Sequence, residues 1–198
     1  MYLTDGPKRA RHVFLFAHGA GAGMQHPWMT KVAAALGESG IRVVRFNFPY
    51  MDAGRGAPDR QPVLLDTWRR VVAEHGGGAK VAIGGKSMGG RMASMVADEL
   101  GVRALVCFGY PFHPPGKPGQ LRTAHLAELR TPSLVLQGER DPFGTRDEVA
   151  GYRLSKSIEI EWLPDGDHSL KPRKSSGATE AGNLARAVEC ASLFISGH

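Results

Sequence analysis

The chain has 198 residues, of which 42% are hydrophobic and 22% are charged, and its formal net charge is +6. These values are ordinary for one globular domain with a sizeable core. No stretch approaches the ~20 apolar residues that a membrane span needs. Two cysteines, Cys107 and Cys190, are too few for a disulfide scaffold, and no Cys/His spacing suggests a zinc site.

The first apolar run in chain order is Val13 to Ala17, which follows several basic residues. Five residues are too few for the core of a signal peptide, and no small-residue cleavage site follows. We therefore expect this run to be the first strand of a cytoplasmic protein.

Further strands are predicted where short β-branched and aromatic runs recur, at 42–48, 80–85, 104–110, 133–138 and 158–163. Amphipathic helical patterns occur between them, at 27–38, 62–75, 87–99, 121–129, 145–154 and 177–196. This alternation predicts a single α/β domain over residues 1–198. We expect a mostly parallel, doubly wound sheet of about six to seven strands, with loops at the carboxyl ends of the strands building the site.

Residues 84–90, GGKSMGG, admit two interpretations. Gly85-Lys86-Ser87 could end a phosphate-binding P-loop, which requires a glycine five positions before Gly85. That position is Lys80, and the residues between are strand-like rather than loop-like. The glycines of 18–24 likewise lack the spacing of a dinucleotide fingerprint, because position 24 is a methionine. Nucleotide binding is therefore disfavoured.

The same stretch fits G-x-S-x-G, in which a serine lies on a sharp turn between a strand and a helix. Gly85 and Gly89 lack the Cβ atoms that would clash in such a turn. Ser87 would also lie at a helix N-terminus, where the dipole favours developing negative charge. The pattern predicts that Ser87 is a nucleophile.

An acid and a histidine follow in the order typical of this motif. Asp141 comes just after the strand at 133–138, and His168 just after the strand at 158–163. The imidazole can take the hydroxyl proton while the carboxylate orients the ring. Asp165 and Asp167 are rival acids, but they are close to His168 in sequence and are typical of turns.

An oxyanion hole needs two backbone donors. The first expected donor is the N–H of Met88, the residue after the serine. The second is expected in the glycine-rich loop after the first strand, from Ala20 or, as second choice, Gly21. His18 in this loop is interpreted as a residue that holds the loop rather than as a base.

Together HGAGAGMQHPWM, RFNFPYM, GGKSMGGR, GYPFHPPGKP, LQGERDPFG and DGDHS resemble the α/β-hydrolase superfamily, from about residue 12 onward. The resemblance is to its small, lidless, dienelactone-hydrolase-like serine hydrolases. It implies Ser87 as nucleophile, Asp141 as acid and His168 as base. Dienelactone hydrolases proper use a cysteine nucleophile, so that particular substrate does not follow from the likeness.

The expected reaction is hydrolysis of small acyl esters through an acyl-enzyme, with no metal or cofactor. Only about twenty residues separate the fourth and fifth predicted strands, which leaves no room for a large cap domain and predicts an open, shallow site. Large apolar side chains in the loops at the carboxyl edge are candidate substrate-binding walls, and they are Met24, Trp28, Tyr50, Phe112 and Phe143.

Arg45, Arg55 and Arg91 could reach an anionic substrate, although ion-paired or solvated arginines are the simpler expectation. The basic residues are scattered along the chain, so we expect a small-molecule acyl substrate and neither a nucleic-acid nor a membrane partner. The oligomeric state cannot be read from the sequence. The alternative function is a catalytically silent hydrolase-fold protein that binds a partner or a small ligand.

Overall fold

The computed structural model describes all residues from Met1 to His198. Seven strands form one sheet. They are β1 (Tyr2–Asp5), β2 (Val13–Ala17), β3 (Arg42–Phe46), β4 (Ala82–Lys86), β5 (Ala104–Phe108), β6 (Ser133–Gly138) and β7 (Ile158–Leu163). The predicted doubly wound sheet is confirmed, and β2 to β7 correspond to the six predicted strands.

Six α-helices connect or flank these strands. They are α1 (Pro27–Glu38), α2 (Pro49–Asp52), α3 (Gln61–Glu74), α4 (Met88–Leu100), α5 (Arg146–Val149) and α6 (Glu180–Gly197), with 3₁₀ turns at Gly78–Lys80 and Ala124–Glu128. Proline at the start of α1, α2 and α3 fixes the first helical φ where no hydrogen bond is lost. None of these helices is both long and apolar enough to cross a bilayer.

The strands lie in the order β1-β3-β2-β4-β5-β6-β7. β2 to β7 are parallel, and only the edge strand β1 runs antiparallel, against β3. From β2, the chain adds β3 on one side and then β4 on the other, so the direction of strand addition reverses at β2. Open α/β sheets build ligand sites at such a reversal. The carboxyl ends of β2, β4, β6 and β7 therefore meet at one edge.

The core consists of two layers, one on each face of the sheet. One cluster of 25 buried residues joins α3 and α4 to the sheet, with Trp68 fully buried at its centre. The other cluster of 21 buried residues joins α1 and α6 to the opposite face. Covering both faces explains why the inner strands are almost entirely apolar.

Three sequence-based assignments differ from the structure. β1 was not predicted, because four residues with half-buried side chains give too short a pattern. The helix expected at 121–129 is a 3₁₀ turn, and the helix expected at 145–154 is the single-turn α5. A capping box of Thr145 and Glu148 starts α5, whereas the chain soon turns away at Gly151.

No cap domain interrupts the fold. The segment between β5 and β6, residues 109–132, contains one 3₁₀ turn and otherwise consists of loop. The segment between β6 and β7 contains only α5. The carboxyl edge of the sheet is therefore covered by loops and single helical turns.

Candidate active site

Ser87 occupies a strained turn between β4 and α4, with φ of 49° and ψ of −114°. A non-glycine residue with positive φ costs energy, and such conformations concentrate at functional sites. The flanking glycines are required sterically. A Cβ on Gly85 would lie 2.5 Å from the carbonyl oxygen of Ala17, and one on Gly89 would lie 2.5 Å from that of His18. The sharp turn exposes the Ser87 hydroxyl at the carboxyl edge of the sheet.

A chain of hydrogen bonds leads from this hydroxyl to a buried carboxylate. Ser87 Oγ lies 2.8 Å from His168 Nε2, and His168 Nδ1 lies 2.8 Å from Asp141 Oδ2. Because the carboxylate can only accept, Nδ1 carries the proton and Nε2 accepts the hydroxyl hydrogen. The structure thus brings together three residues that are 54 and 27 positions apart along the chain.

Asp141 is completely buried and is held from two sides. Its Oδ1 accepts from the N–H of Phe143 at 2.9 Å, and its Oδ2 accepts from Gln137 Nε2 at 2.9 Å. Gln137 is itself fixed, because its Oε1 accepts from the N–H of Tyr110 at 2.7 Å. The carboxylate therefore keeps its orientation toward His168.

Burial favours a neutral His168 ring despite the carboxylates around it. Burial lowers the pKa of His168, the hydrogen bond that Nδ1 donates to Asp141 raises it, and the nearby Lys86 cation lowers it again. The ring also stacks on Phe143, with centroids 4.1 Å apart. A neutral imidazole with a free Nε2 acceptor is the form that can take a proton from Ser87.

Lys86 precedes the serine and was not identified as a site residue from the sequence. Its Nζ donates to the carbonyl oxygen of His168 and lies 5.5 Å from the ring centroid of Trp28. Burial lowers its pKa to about 8. The side chain thus ties the end of β4 to the loop that carries His168.

The two rival acids belong to the turn before His168. Asp165 pairs with Arg173 and Arg140. Asp167 Oδ1 accepts the N–H groups of Ser169 and Lys171 at 2.8 and 3.0 Å. Neither carboxylate hydrogen-bonds the imidazole, in keeping with their interpretation as turn residues.

The expected oxyanion donors lie beside the serine. Ala20 and Met88 both line the cavity that contains Ser87, and neither N–H donates to another group of the protein. His18 lies beneath this loop, fully buried, with Nδ1 2.7 Å from the carbonyl oxygen of Gly19 and Nε2 accepting from the N–H of Phe48 at 3.1 Å. Both ring nitrogens are occupied, so His18 holds the loop, as predicted.

The cavity has a volume of about 560 Å³ and is lined by 15 residues. Of the five expected walls, Trp28 and Phe143 line it, whereas Met24, Tyr50 and Phe112 do not. Met24, Tyr50 and Phe112 are at most 2% exposed. Their assignment as walls is corrected, because the segments that carry them pack these side chains into the core.

Of the three arginines considered from the sequence, two are ion-paired elsewhere and one lines the cavity. Arg45 is buried and bonded to Asp5, and Arg55 pairs with Asp59. Arg91 lines the cavity, and so does Arg122, which was not considered from the sequence. Arg122 follows a long irregular loop, so no periodic pattern in the sequence indicates where its side chain lies.

A second serine–histidine contact lies about two turns farther along α4. Ser94 Oγ is 2.8 Å from His125 Nε2 and also donates to the carbonyl oxygen of Arg91 at 2.7 Å. Ser94 is 2% exposed and does not line the cavity, and no carboxylate hydrogen-bonds His125. Burial lowers the pKa of His125, so its ring also favours the neutral form. This buried pair joins α4 to the loop before β6.

The geometry agrees with comparisons to known structures. An α/β serine hydrolase homologue from Coxiella burnetii has 21% identity and a TM-score of 0.72, over 99% of this chain and 90% of that one. A dienelactone hydrolase from Anabaena variabilis has 21% identity and a TM-score of 0.73, over 100% and 91%. A lidless α/β serine hydrolase from Xanthomonas campestris has 22% identity and a TM-score of 0.70, over 96% and 88%.

These identities are low, so the solved structures establish a shared fold and nothing finer. A family model described as "Alpha/beta hydrolase domain" matches residues 10–196, which is nearly the whole chain. The match includes the serine turn, the glycine-rich loop after β2 and both loops that carry Asp141 and His168. The chain therefore belongs to the α/β-hydrolase family.

Proposed function

We propose that the protein is a serine hydrolase of the carboxylesterase type that acts on small acyl esters. The observation that carries this proposal is the pair of 2.8 Å hydrogen bonds that connect Asp141, His168 and the strained Ser87. The proposal assigns Ser87 as nucleophile, His168 as general base and acid, and Asp141 as the group that orients the ring.

In the first half of the reaction, Ser87 Oγ bonds to the ester carbonyl carbon while its proton passes to His168 Nε2. The carbonyl oxygen becomes an oxyanion that accepts from the N–H groups of Met88 and Ala20. When the intermediate collapses, the bond to the alcohol oxygen breaks and Nε2 returns the proton to that oxygen. The alcohol leaves, and the acyl group stays on Ser87.

In the second half, water replaces the alcohol. Nε2 takes a proton from water as its oxygen attacks the acyl-enzyme, and Ser87 Oγ recovers that proton as the acid leaves. Asp141 stays ionised and stabilises the imidazolium that forms twice in each cycle. No step in this sequence uses a metal or a cofactor.

The proposed preference for small esters rests on the open cavity and the short loops around it. A cavity of this size is typical of sites that bind small ligands. Maximal activity on long-chain esters in a chain-length series would contradict this part of the proposal. Cytoplasmic location and the lack of nucleic-acid or membrane partners stay predictions from the sequence.

The first test is covalent labelling with a fluorophosphonate probe, which reacts with activated serines. We expect the native protein to be labelled, and the Ser87→Ala and His168→Ala variants to lose labelling. Ser94→Ala and His125→Ala are matched controls, because they alter the second serine–histidine contact, and we expect both to keep labelling. No labelling of a folded native protein would favour the alternative, a silent hydrolase-fold binding protein.

The pH dependence of kcat/KM follows from the environment of His168. Only the neutral ring can act as base, so activity is lost as pH falls through its pKa. Since burial and Lys86 lower that pKa despite Asp141, the midpoint of the acidic limb is expected below the ordinary imidazole value of about 6.5.

Lys86→Met is the variant that tests the cause of this shift. It removes a cation that lowers the pKa of His168, while Asp141 and Asp167, which raise it, remain. We therefore expect its acidic limb to move toward higher pH. A native midpoint above about 6.5, measured on an uncharged ester, would contradict the assigned environment.

A further inference from the structure

Two arginine side chains line the same cavity without a carboxylate partner. Neither Arg91 nor Arg122 forms a salt bridge, and neither donates a side-chain hydrogen bond to another residue of the protein. The Nε atom of Arg91 is buried and has no partner. Buried arginine groups are normally paired, since leaving a charged donor without an acceptor is costly.

The two guanidinium groups also repel each other. Burial lowers the pKa of Arg122, and the neighbouring Arg91 lowers it further. None of the residues that line the cavity is an aspartate or a glutamate. Besides Lys86, the cavity lining thus contains two half-buried guanidinium cations, and it contains no acidic side chain that neutralises them.

Internal hydrogen bonds hold the backbone of both arginines. The N–H of Arg91 donates to the carbonyl oxygen of Ser87 at 2.9 Å, and its own carbonyl accepts from Ser94. The N–H of Arg122 donates to Phe112 at 2.7 Å, and its carbonyl accepts from the hydroxyl of Tyr110 at 3.2 Å. Ser94 and Tyr110 are almost fully buried. The backbone of both arginines is therefore held in place by internal hydrogen bonds, at a position from which their side chains line the cavity.

Arg91 lies close to the proposed nucleophile along the chain. It is four residues after Ser87, in the first turn of α4, and both residues line the same cavity. A group bound by Arg91 would therefore occupy the cavity that also holds the reacting carbonyl. Trp28 and Met29 line the same cavity and supply its apolar surface.

We propose that Arg91 and Arg122 form an anion-binding subsite, and that the substrate is an ester carrying a carboxylate close to the scissile bond. The proposal rests on the hydrolase function proposed above and names its substrate class. Two guanidinium groups can hold a carboxylate by charge-assisted, bidentate hydrogen bonds. The apolar part of the substrate would then contact Trp28.

The test compares esters that differ only in charge. On the acyl side, the mono-4-nitrophenyl ester of glutaric acid is compared with 4-nitrophenyl valerate. On the alcohol side, 4-acetoxybenzoate is compared with 4-methylphenyl acetate. We expect kcat/KM to be about 10- to 100-fold higher for the anionic member of at least one pair, after correction for uncatalysed hydrolysis. The pair that shows the higher kcat/KM for its anionic member tells whether the bound carboxylate belongs to the acyl side or to the alcohol side of the substrate.

Arg91→Met and Arg122→Met should each reduce this ratio toward one. Arg9→Met is the matched control, because Arg9 is exposed and its replacement changes the net charge equally. We expect Arg9→Met to keep the ratio. Fluorophosphonate labelling verifies that Ser87 is still activated in each variant. If one arginine variant does not fold, the ratio measured for the other is sufficient for the test.

Two results would overturn the subsite, and they differ from failure of the hydrolase proposal. Equal rates for both members of both pairs, in a protein that labels and turns over, would remove the subsite and leave the hydrolase. If no ester is hydrolysed and no label is bound, the hydrolase proposal fails. Calorimetric titration with monomethyl glutarate and with methyl valerate then decides the subsite, and no preference for the anion would overturn it.

Discussion

Replacing Ser87 with alanine is expected to lower kcat on an uncharged ester by about 10⁶-fold, and replacing His168 with alanine by a similar factor. Each substitution removes one end of the 2.8 Å contact through which the proton must pass. What remains is the contribution of binding and of the backbone N–H groups, typically 10³- to 10⁴-fold over water. Stopped assays with purified variants measure both losses.

The double variant gives the sharper result. Because Ser87 and His168 act as a unit, the combined Ser87→Ala/His168→Ala variant should lose about as much as either single variant. Multiplicative losses would indicate two independent contributions and would contradict the assigned roles. Ser94→Ala, which alters the buried contact with His125, is expected to retain most of the activity, provided that its thermal unfolding matches the native protein.

The second large effect is expected for Asp141→Asn, at about 10⁴-fold in kcat. In the native protein, Asp141 Oδ1 accepts from the N–H of Phe143, and Asp141 Oδ2 accepts from Gln137 and His168. An asparagine whose oxygen keeps the contact with Phe143 would turn its NH₂ group toward Gln137 and His168. His168 Nδ1 would then have to accept, which puts the ring proton on Nε2, where it faces Ser87. The base is thereby disabled while the geometry is kept.

Asp167→Asn is the matched comparison for this variant. Asp167 Oδ1 accepts two backbone N–H groups, and the amide oxygen of asparagine can still accept both. We therefore expect a loss of less than about 10-fold. A larger loss in Asp167→Asn than in Asp141→Asn, measured in the same ester assay, would reassign the acid to the turn before His168.

Much of the fold was predictable because its inner strands are continuous apolar runs. β2 to β6 are buried on both faces, whereas the edge strand β7 alternates isoleucine with glutamate. Each of the six has a turn signal after it, so their positions are marked locally. β1 escaped prediction because an edge strand of four residues is stabilised by pairing with β3 rather than by its own pattern. α5 was overextended because a capping box marks where a helix begins and does not determine its length.

Site residues were likewise predictable where the local sequence marks them, and they were missed where their roles depend on distant contacts. Ser87, Asp141 and His168 were identifiable since each follows a strand directly, and parallel strands end at one edge. Lys86, Gln137 and Arg122 were not identified, because their roles depend on contacts with residues tens of positions away. Met24, Tyr50 and Phe112 were misplaced because a large apolar side chain beyond a strand end can pack toward the core as readily as toward a cavity.

The short segments between β5, β6 and β7 have a consequence for selectivity. Enzymes that close a lid over the substrate can discriminate by induced fit, since only a correct substrate drives closure. Here the covering segments are an irregular loop, a 3₁₀ turn and a single helical turn, with no cap to close. Under the proposed function, discrimination among esters would then reside in the preformed walls of the cavity, which include Trp28, Phe143 and the two arginines.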